Sequence, residues 1–136
     1  MTTIETVSLQ DARRVIAAGE QASQENGQPS NIAVVDHGGN LVAHVRMDGA
    51  WLGSVDISIN KAYSARAFDN TTKELGDNAG PGQQFYGISA TNAGRVVTFA
   101  GGVPLYRNGT IVGGVGVSGG SGDQDQAVAE AAARAL

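Results

Sequence analysis

The 136-residue chain has no cysteine. Disulfides, thiolate zinc sites, iron–sulfur clusters and a cysteine nucleophile are therefore excluded. Charge is also scarce: Asp, Glu, Lys and Arg make up 16% of the residues, with a net charge of −4 and no run of Lys or Arg. A nucleic-acid partner needs a concentrated basic face, so none is expected. No apolar run approaches the roughly 20 residues of a membrane span, so no membrane partner is expected either. The opening MTTIETVSLQ has neither a basic start nor an apolar stretch, which makes the cytoplasm the expected location. Aromatics are only 5% of the chain.

What is present fits one domain over residues 1–136, since apolar residues reach 41% and no linker or repeat interrupts them. Ser8 and Asp11 stand at capping-box spacing, and Leu9, Ala12, Val15, Ile16, Gly19 and Ala22 follow a helical stripe. Asn26-Gly27 and Pro29 stop that helix. Ile32 to Asp36 and Leu41 to Met47 read as strands joined by His37-Gly38-Gly39-Asn40. A second helix is expected over Ser54–Phe68 with Ser54 as its cap, and a further turn at Thr71–Glu74. Asp77–Gly94 is a long Gly-, Asn- and Gln-rich loop, a candidate pocket wall. Val96–Phe99 reads as a short strand. Val103–Arg107 and Thr110–Val117 form a hairpin across Asn108-Gly109, before an alanine-rich helix from Asp123.

The expected fold is therefore α+β, ordered α-β(2)-α-β(3)-α, with a mainly antiparallel five-stranded sheet and flanking helices. The run Ile111 to Val117 has no polar face, so both its sides must be covered, by helices divided between the faces or by a second subunit. A surface this poor in charge also points to a homo-oligomer.

Gly114, Gly116 and Gly119 match G-x-G-x-x-G between a strand and a helix. Residues 120–136 leave no space for a second strand of a βαβ unit or for the acidic ribose ligand, so a nucleotide site is not expected. The glycines instead allow close approach of a helix or subunit. The N–H groups of Ser118 to Gly122 resemble an anion cradle, but Asp123 and Asp125 set negative charge in the same turn.

Chemistry can reside in few places. There are two histidines: His37 in the first hairpin turn and His44 in the next strand, where alternation puts it on one face with Val42, Arg46 and Asp48. A neutral imidazole at His37 or His44 can ligate haem iron, and Arg46 can pair with a propionate. The same groups, with Asp36 and Lys61, are the candidate acid–base set Asp36, His44, Arg46, Asp48 and Lys61 of a cofactor-free isomerase, hydratase or lyase acting on a small oxygenated metabolite. The ordinary alternative is a solvated strand face, a solvated turn histidine, and a lysine that packs its helix while its head reaches water or an acid. No HxH or HExxH spacing exists, so no zinc or other protein-ligated metal site is expected. Ser118 lies outside any G-x-S-x-G elbow. Trp51, Tyr63, Phe85 and Tyr86 are candidate walls of an aromatic pocket.

Several segments together resemble the GlcG/HbpS-like family. They are Val34 to Gly39 (VVDHGG), Arg46 to Ala50 (RMDGA), Lys61 to Ala65 (KAYSA), Phe99 to Leu105 (FAGGVPL), and Val112 to Gly120 (VGGVGVSGG) with Asp123-Gln124-Asp125. The resemblance spans nearly the whole chain in order. It implies a profilin-like sheet, compact homo-oligomers, and association with haem in some members, one of them a domain attached to a cobalamin adenosyltransferase. Its motifs are mostly glycine and packing residues, so they specify architecture more than ligand. The functional expectation is an oligomeric small-ligand-binding protein, with haem or another planar carboxylate-bearing molecule as the ligand. The enzyme above and an accessory or scaffold subunit without chemistry stand as alternatives.

Overall fold

Two antiparallel hairpins build the sheet in a computed structural model that describes residues 1–136. The first joins β1 (Asn31–Asp36) to β2 (Leu41–Arg46), the second β3 (Gly102–Arg107) to β4 (Thr110–Ser118). They meet along β1 and β4 in the order β2-β1-β4-β3, and every pairing is antiparallel. In the first turn the Asp36 carboxylate accepts the N–H groups of Gly38 and Asn40, both at 2.9 Å. In the second, Asn108 (φ 52°) and Gly109 (φ 76°) both take the left-handed conformation that a type I′ turn requires.

The helices divide between the two faces. Helix α1 (Leu9–Asn26) starts with the Ser8–Asp11 capping box and stops at Gly27, whose φ of 74° suits glycine. It buries Ala12, Val15, Ile16 and Gly19. Helix α4 (Gly122–Arg134) is capped by Ser121 and Gln124 and buries Val128, Ala129 and Ala132. Both pack on the face that carries Ile32, Val34, Val115 and Val117, forming the main core. Helix α2 (Gly53–Phe68) covers the other face alone, where Ala33, Val35 and Ala62 make a smaller cluster.

Glycine explains how α2 lies so close. A methyl at Gly116 would collide with the carbonyl of Ser58 and stand 2.5 Å from the nitrogen of Ala62; one at Gly114 would stand 2.5 Å from the Ala62 oxygen. Helix backbone thus rests on strand backbone. Helix α2 begins without a side-chain cap; Ser54 is instead buried, its hydroxyl 3.0 Å from that of Ser118. The short helix α3 (Thr72–Asp77) follows, capped by Thr71.

The expected fifth strand is absent, so the sheet has four strands rather than five. Val96–Phe99 runs alongside α2 instead of joining the sheet. The Val97 N–H donates to Ser64 Oγ (2.9 Å), whose single hydroxyl hydrogen is within reach of the carbonyls of Asn60 (2.7 Å) and Arg95 (3.1 Å). A side chain of α2 takes hydrogen bonds that a neighbouring strand would otherwise supply. The preceding segment contains two single 3-10 turns, Ile88–Ala90 and Asn92–Gly94. It is tied to α2 where Tyr63 donates to Asn92 Oδ1 (2.7 Å) and the Arg95 guanidinium stacks 3.5 Å from the centre of the Tyr63 ring. No helix is long and apolar enough to cross a membrane.

Candidate functional site

The β1–β2 turn rests on the third turn of α2, and this contact places His37 beside residues distant in sequence. Gly39, at φ 80°, lies against Tyr63: a methyl on it would stand 3.2 Å from the ring. The backbone N–H of His37 donates to Thr6 Oγ1 at 2.9 Å, fixing the turn from the other side. Arg66, three residues after Tyr63 on α2, brings Nη2 to 3.1 Å from His37 Nε2 and 3.5 Å from Nδ1. One amino group cannot lie along the in-plane directions of both ring nitrogens, so His37 is only loosely engaged. Arg66 Nη1 donates to Asp69 at 2.7 Å, while its Nε is buried with no partner. His37, Gly38, Gly39, Tyr63, Arg66 and Ala67 line a concavity of about 260 Å³. Imidazole, guanidinium and phenol thus meet at one place, able to offer a nitrogen ligand, an anion partner and a flat wall.

The second strand's polar groups are arranged differently. His44 lies opposite Ala33 and Arg46 opposite Asn31, on the α2 side of the sheet. His44 is half-buried, and its Nε2 is shielded without a hydrogen-bond partner. Burial, and then the Arg46 charge, hold its pKa below the ordinary imidazole value. Arg46 and Asp48 line a concavity of about 470 Å³ with Glu20 and Gln24 of α1, which His44 does not line. Asp36 is engaged in its turn, and Lys61 is 1% exposed, donating to the Val117 carbonyl and to Asp125. The five acid–base candidates thus sit in several separate environments. Trp51, Phe85 and Tyr86 are exposed, and Tyr63 alone of the four aromatic candidates lines a concavity.

The glycine-rich approach to α4 is closed by its own side chains. The N–H of Gly120 is taken by Asp125 (3.0 Å) and that of Ser121 by Gln124 (2.9 Å). A third concavity, about 490 Å³, opens between the α2–α3 junction, Pro104 and Tyr106 of β3, and Arg134. No three His, Asp or Glu side chains are placed to hold a bare metal ion.

Arg66 is the residue that sequence reasoning passes over. It stands in an ordinary helix, and only the docking of the hairpin turn onto α2 brings it to His37. The one signal for that docking is the glycine run of β4, which lets α2 approach the sheet.

Known proteins share this fold. The family model described as haem degrading protein HbpS-like matches residues 7–134. An uncharacterized 15.0 kDa protein from the dhaT-dhaS intergenic region of Citrobacter freundii is 44% identical over 129 residues, covering 95% of this chain and 91% of its own. The crystal structure of Klebsiella pneumoniae ORFY superposes with a TM-score of 0.96 at 39% identity, over 99% of this chain and 93% of that one. That of a PduOC–haem complex gives 0.91 at 36%, over 96% and 95%. By the extent of the family match and the identity of these relatives, the chain belongs to the HbpS-like family.

Proposed function

We propose that this chain is a homo-oligomeric binding protein for a small planar ligand bearing carboxylates, with haem the leading candidate, and that it grips the ligand at the His37–Tyr63–Arg66 concavity. The observation that carries the reading is the pairing of His37 with Arg66, whose Nε is buried and unpartnered. The guanidinium, whose side chain keeps 18% exposure, holds Nη2 beside His37 at the concavity, where an incoming carboxylate can accept from it. A relative 36% identical to this chain forms a complex with haem.

The residues fit one edge of a haem. His37 supplies an imidazole, Arg66 a partner for a propionate, and Tyr63 an aromatic wall. Ligand pockets usually run from about 300 to 1,000 Å³ and bury most of their ligand. A concavity of about 260 Å³ holds part of a macrocycle, and a neighbouring subunit would cover the remainder. His44, with Arg46 beyond it, is the alternative pair, since its Nε2 has no partner.

The test is titration of purified protein with haemin, followed by the Soret band. Wild type should give a saturable shift, His37→Ala should lose it, Arg66→Gln should weaken it, and His44→Ala should retain it. Loss only in His44→Ala would move the site to β2. A wild-type protein with no saturable shift would overturn the haem assignment.

A further inference from the structure

The β3 edge of the sheet is closed to a further strand. The Val117 N–H donates to the Gly101 carbonyl at 2.8 Å, which sets the alternation along β3. Gly102 and Pro104 therefore turn their backbone groups away from β4. The Gly102 N–H is taken by Thr72 Oγ1 at 2.8 Å, and Pro104 has no N–H to offer. Main-chain pairing cannot continue past such an edge. Beside it opens the concavity of about 490 Å³ between the α2–α3 junction, β3 and the end of α4. That volume lies within the roughly 300–1,000 Å³ usual for small-molecule pockets.

The lining divides by chemistry. Val103 and Pro104 of β3 and Ala133 of α4 supply apolar surface, and Tyr106 adds a ring that is 52% exposed. Three charged residues line the same hollow: Asp69, Glu74 and Arg134. Asp69 is already met by Arg66 Nη1 at 2.7 Å. Glu74 and Arg134 form no ion pair, with each other or with any other side chain. One free carboxylate from α3 and one free guanidinium from the last turn of α4 thus share a concavity without neutralising each other. The Pro104 carbonyl, directed away from β4, is a further acceptor.

We propose that this concavity binds a small zwitterion of the ω-amino acid class, an ammonium and a carboxylate joined by a short unbranched apolar chain. The ammonium goes to Glu74 and the Pro104 carbonyl, beside the Tyr106 ring, and the carboxylate goes to the Arg134 guanidinium. The methylenes between them cover Val103, Pro104 and Ala133. Charge complementarity selects this class. A simple anion gains Arg134 but meets the like charge of Glu74, and a simple cation does the reverse. A chain is needed because Glu74 and Arg134 stand too far apart to pair directly. The site goes beyond the functional reading and does not depend on it, since this concavity shares no lining residue with that of His37.

Isothermal titration calorimetry in low-salt buffer tests it, with 6-aminohexanoate as the probe. Hexanoate and hexylamine, which each keep one charged end, are the comparisons. Wild type should bind 6-aminohexanoate saturably below about 10 mM, and each comparison compound about tenfold more weakly or worse. Glu74→Gln and Arg134→Gln change exposed side chains, so the far-UV spectrum should be preserved. Each should weaken 6-aminohexanoate about tenfold, whereas His37→Ala should bind it as wild type does. Absence of saturable heat by about 10 mM would overturn the site. Equal binding of either single-charged compound, or undiminished binding in either folded variant, would overturn it as well. Haem binding is read separately from the Soret band.

Discussion

Lys61 Nζ lies 3.2 Å from a carboxylate oxygen of Asp125, with the two side chains 1% and 5% exposed. The pair joins three elements. Nζ also donates to the Val117 carbonyl at the end of β4 (2.8 Å), and the other Asp125 oxygen accepts the Gly120 N–H (3.0 Å) ahead of α4. The Phe99 ring closes over the ammonium, 5.0 Å away. Burial pulls the amine below its ordinary pKa, and Asp125 opposes that pull.

Removing one member should therefore cost more than removing both. Lys61→Met leaves a buried carboxylate without its cation, and about 3–5 kcal/mol of stability should be lost. Adding Asp125→Asn keeps an acceptor for Gly120 and should restore part of it. Urea denaturation of the two single variants and the double variant measures the coupling. Strictly additive losses would show that the two side chains do not act as a pair.

The close contact of α2 with β4 makes Gly116 intolerant of a side chain. A methyl there meets the Ser58 carbonyl and the Ala62 nitrogen, both backbone, so no flexible group can yield. Gly116→Ala should destabilise by about 1–3 kcal/mol or more as the helix is pushed off the sheet. Gly53, at the start of the same helix, has nothing within 4 Å of an added methyl and no positive φ. Gly53→Ala should therefore be neutral or stabilise by up to about 1 kcal/mol. Thermal melting of the two variants side by side checks the contrast.

The elements legible in the sequence are those written in local chemistry. Ser8 and Asp11 announce α1, Gly27 ends it, and Asn108-Gly109 fixes the second hairpin. The unbroken apolar run of β4 correctly implied cover on both faces, and helices provide it. Val96–Phe99 misled because its β-branched residues favour a strand, whereas the Val97 N–H goes to Ser64, a side chain more than thirty residues away. The Lys61–Asp125 link and the His37–Arg66 contact were hidden for the same reason. Each depends on where α2 crosses the sheet, and that crossing is set by glycines whose role is to be absent. Periodicity placed His44 and Arg46 on one face, as observed, but it carries no information on which concavity each side chain lines.

Asp11 predicts how the protein responds to acid. Its carboxylate accepts from the Ser8 N–H (2.9 Å), Arg14 (2.8 Å) and, across to β3, Arg107 (3.0 Å). The Ser8 backbone bond first, then Arg107, hold its pKa well below the usual carboxylate range. A depressed folded-state pKa gives stability that is complete above the unfolded value, about 4, and lost as pH falls toward the folded value. Asp11→Asn should cost about 1 kcal/mol at neutral pH, the usual worth of a cap. The difference from wild type should shrink steadily below pH about 4. Chemical denaturation across that range follows it, and a gap independent of pH would show that the charge is not what matters.

His44 gives the opposite kind of test, because its depressed pKa reflects a group poorly accommodated when charged. Its shielded Nε2 has no partner, and burial and Arg46 both disfavour the imidazolium. The unfolded chain therefore binds the proton more readily, beginning near pH 6.5, and native stability should fall as pH drops through and below that value. His44→Leu fills similar space without a titrating group or an orphaned nitrogen. Its melting temperature at pH 7 should equal or exceed that of wild type, since an unsatisfied buried polar atom costs about 1–3 kcal/mol. Between neutral pH and pH about 5 its stability should decline less than that of wild type, leaving a difference that widens as the solution is acidified. Parallel slopes for the two proteins would mean that His44 protonates as freely in the folded chain as in the unfolded one, and that its nitrogen is open to water.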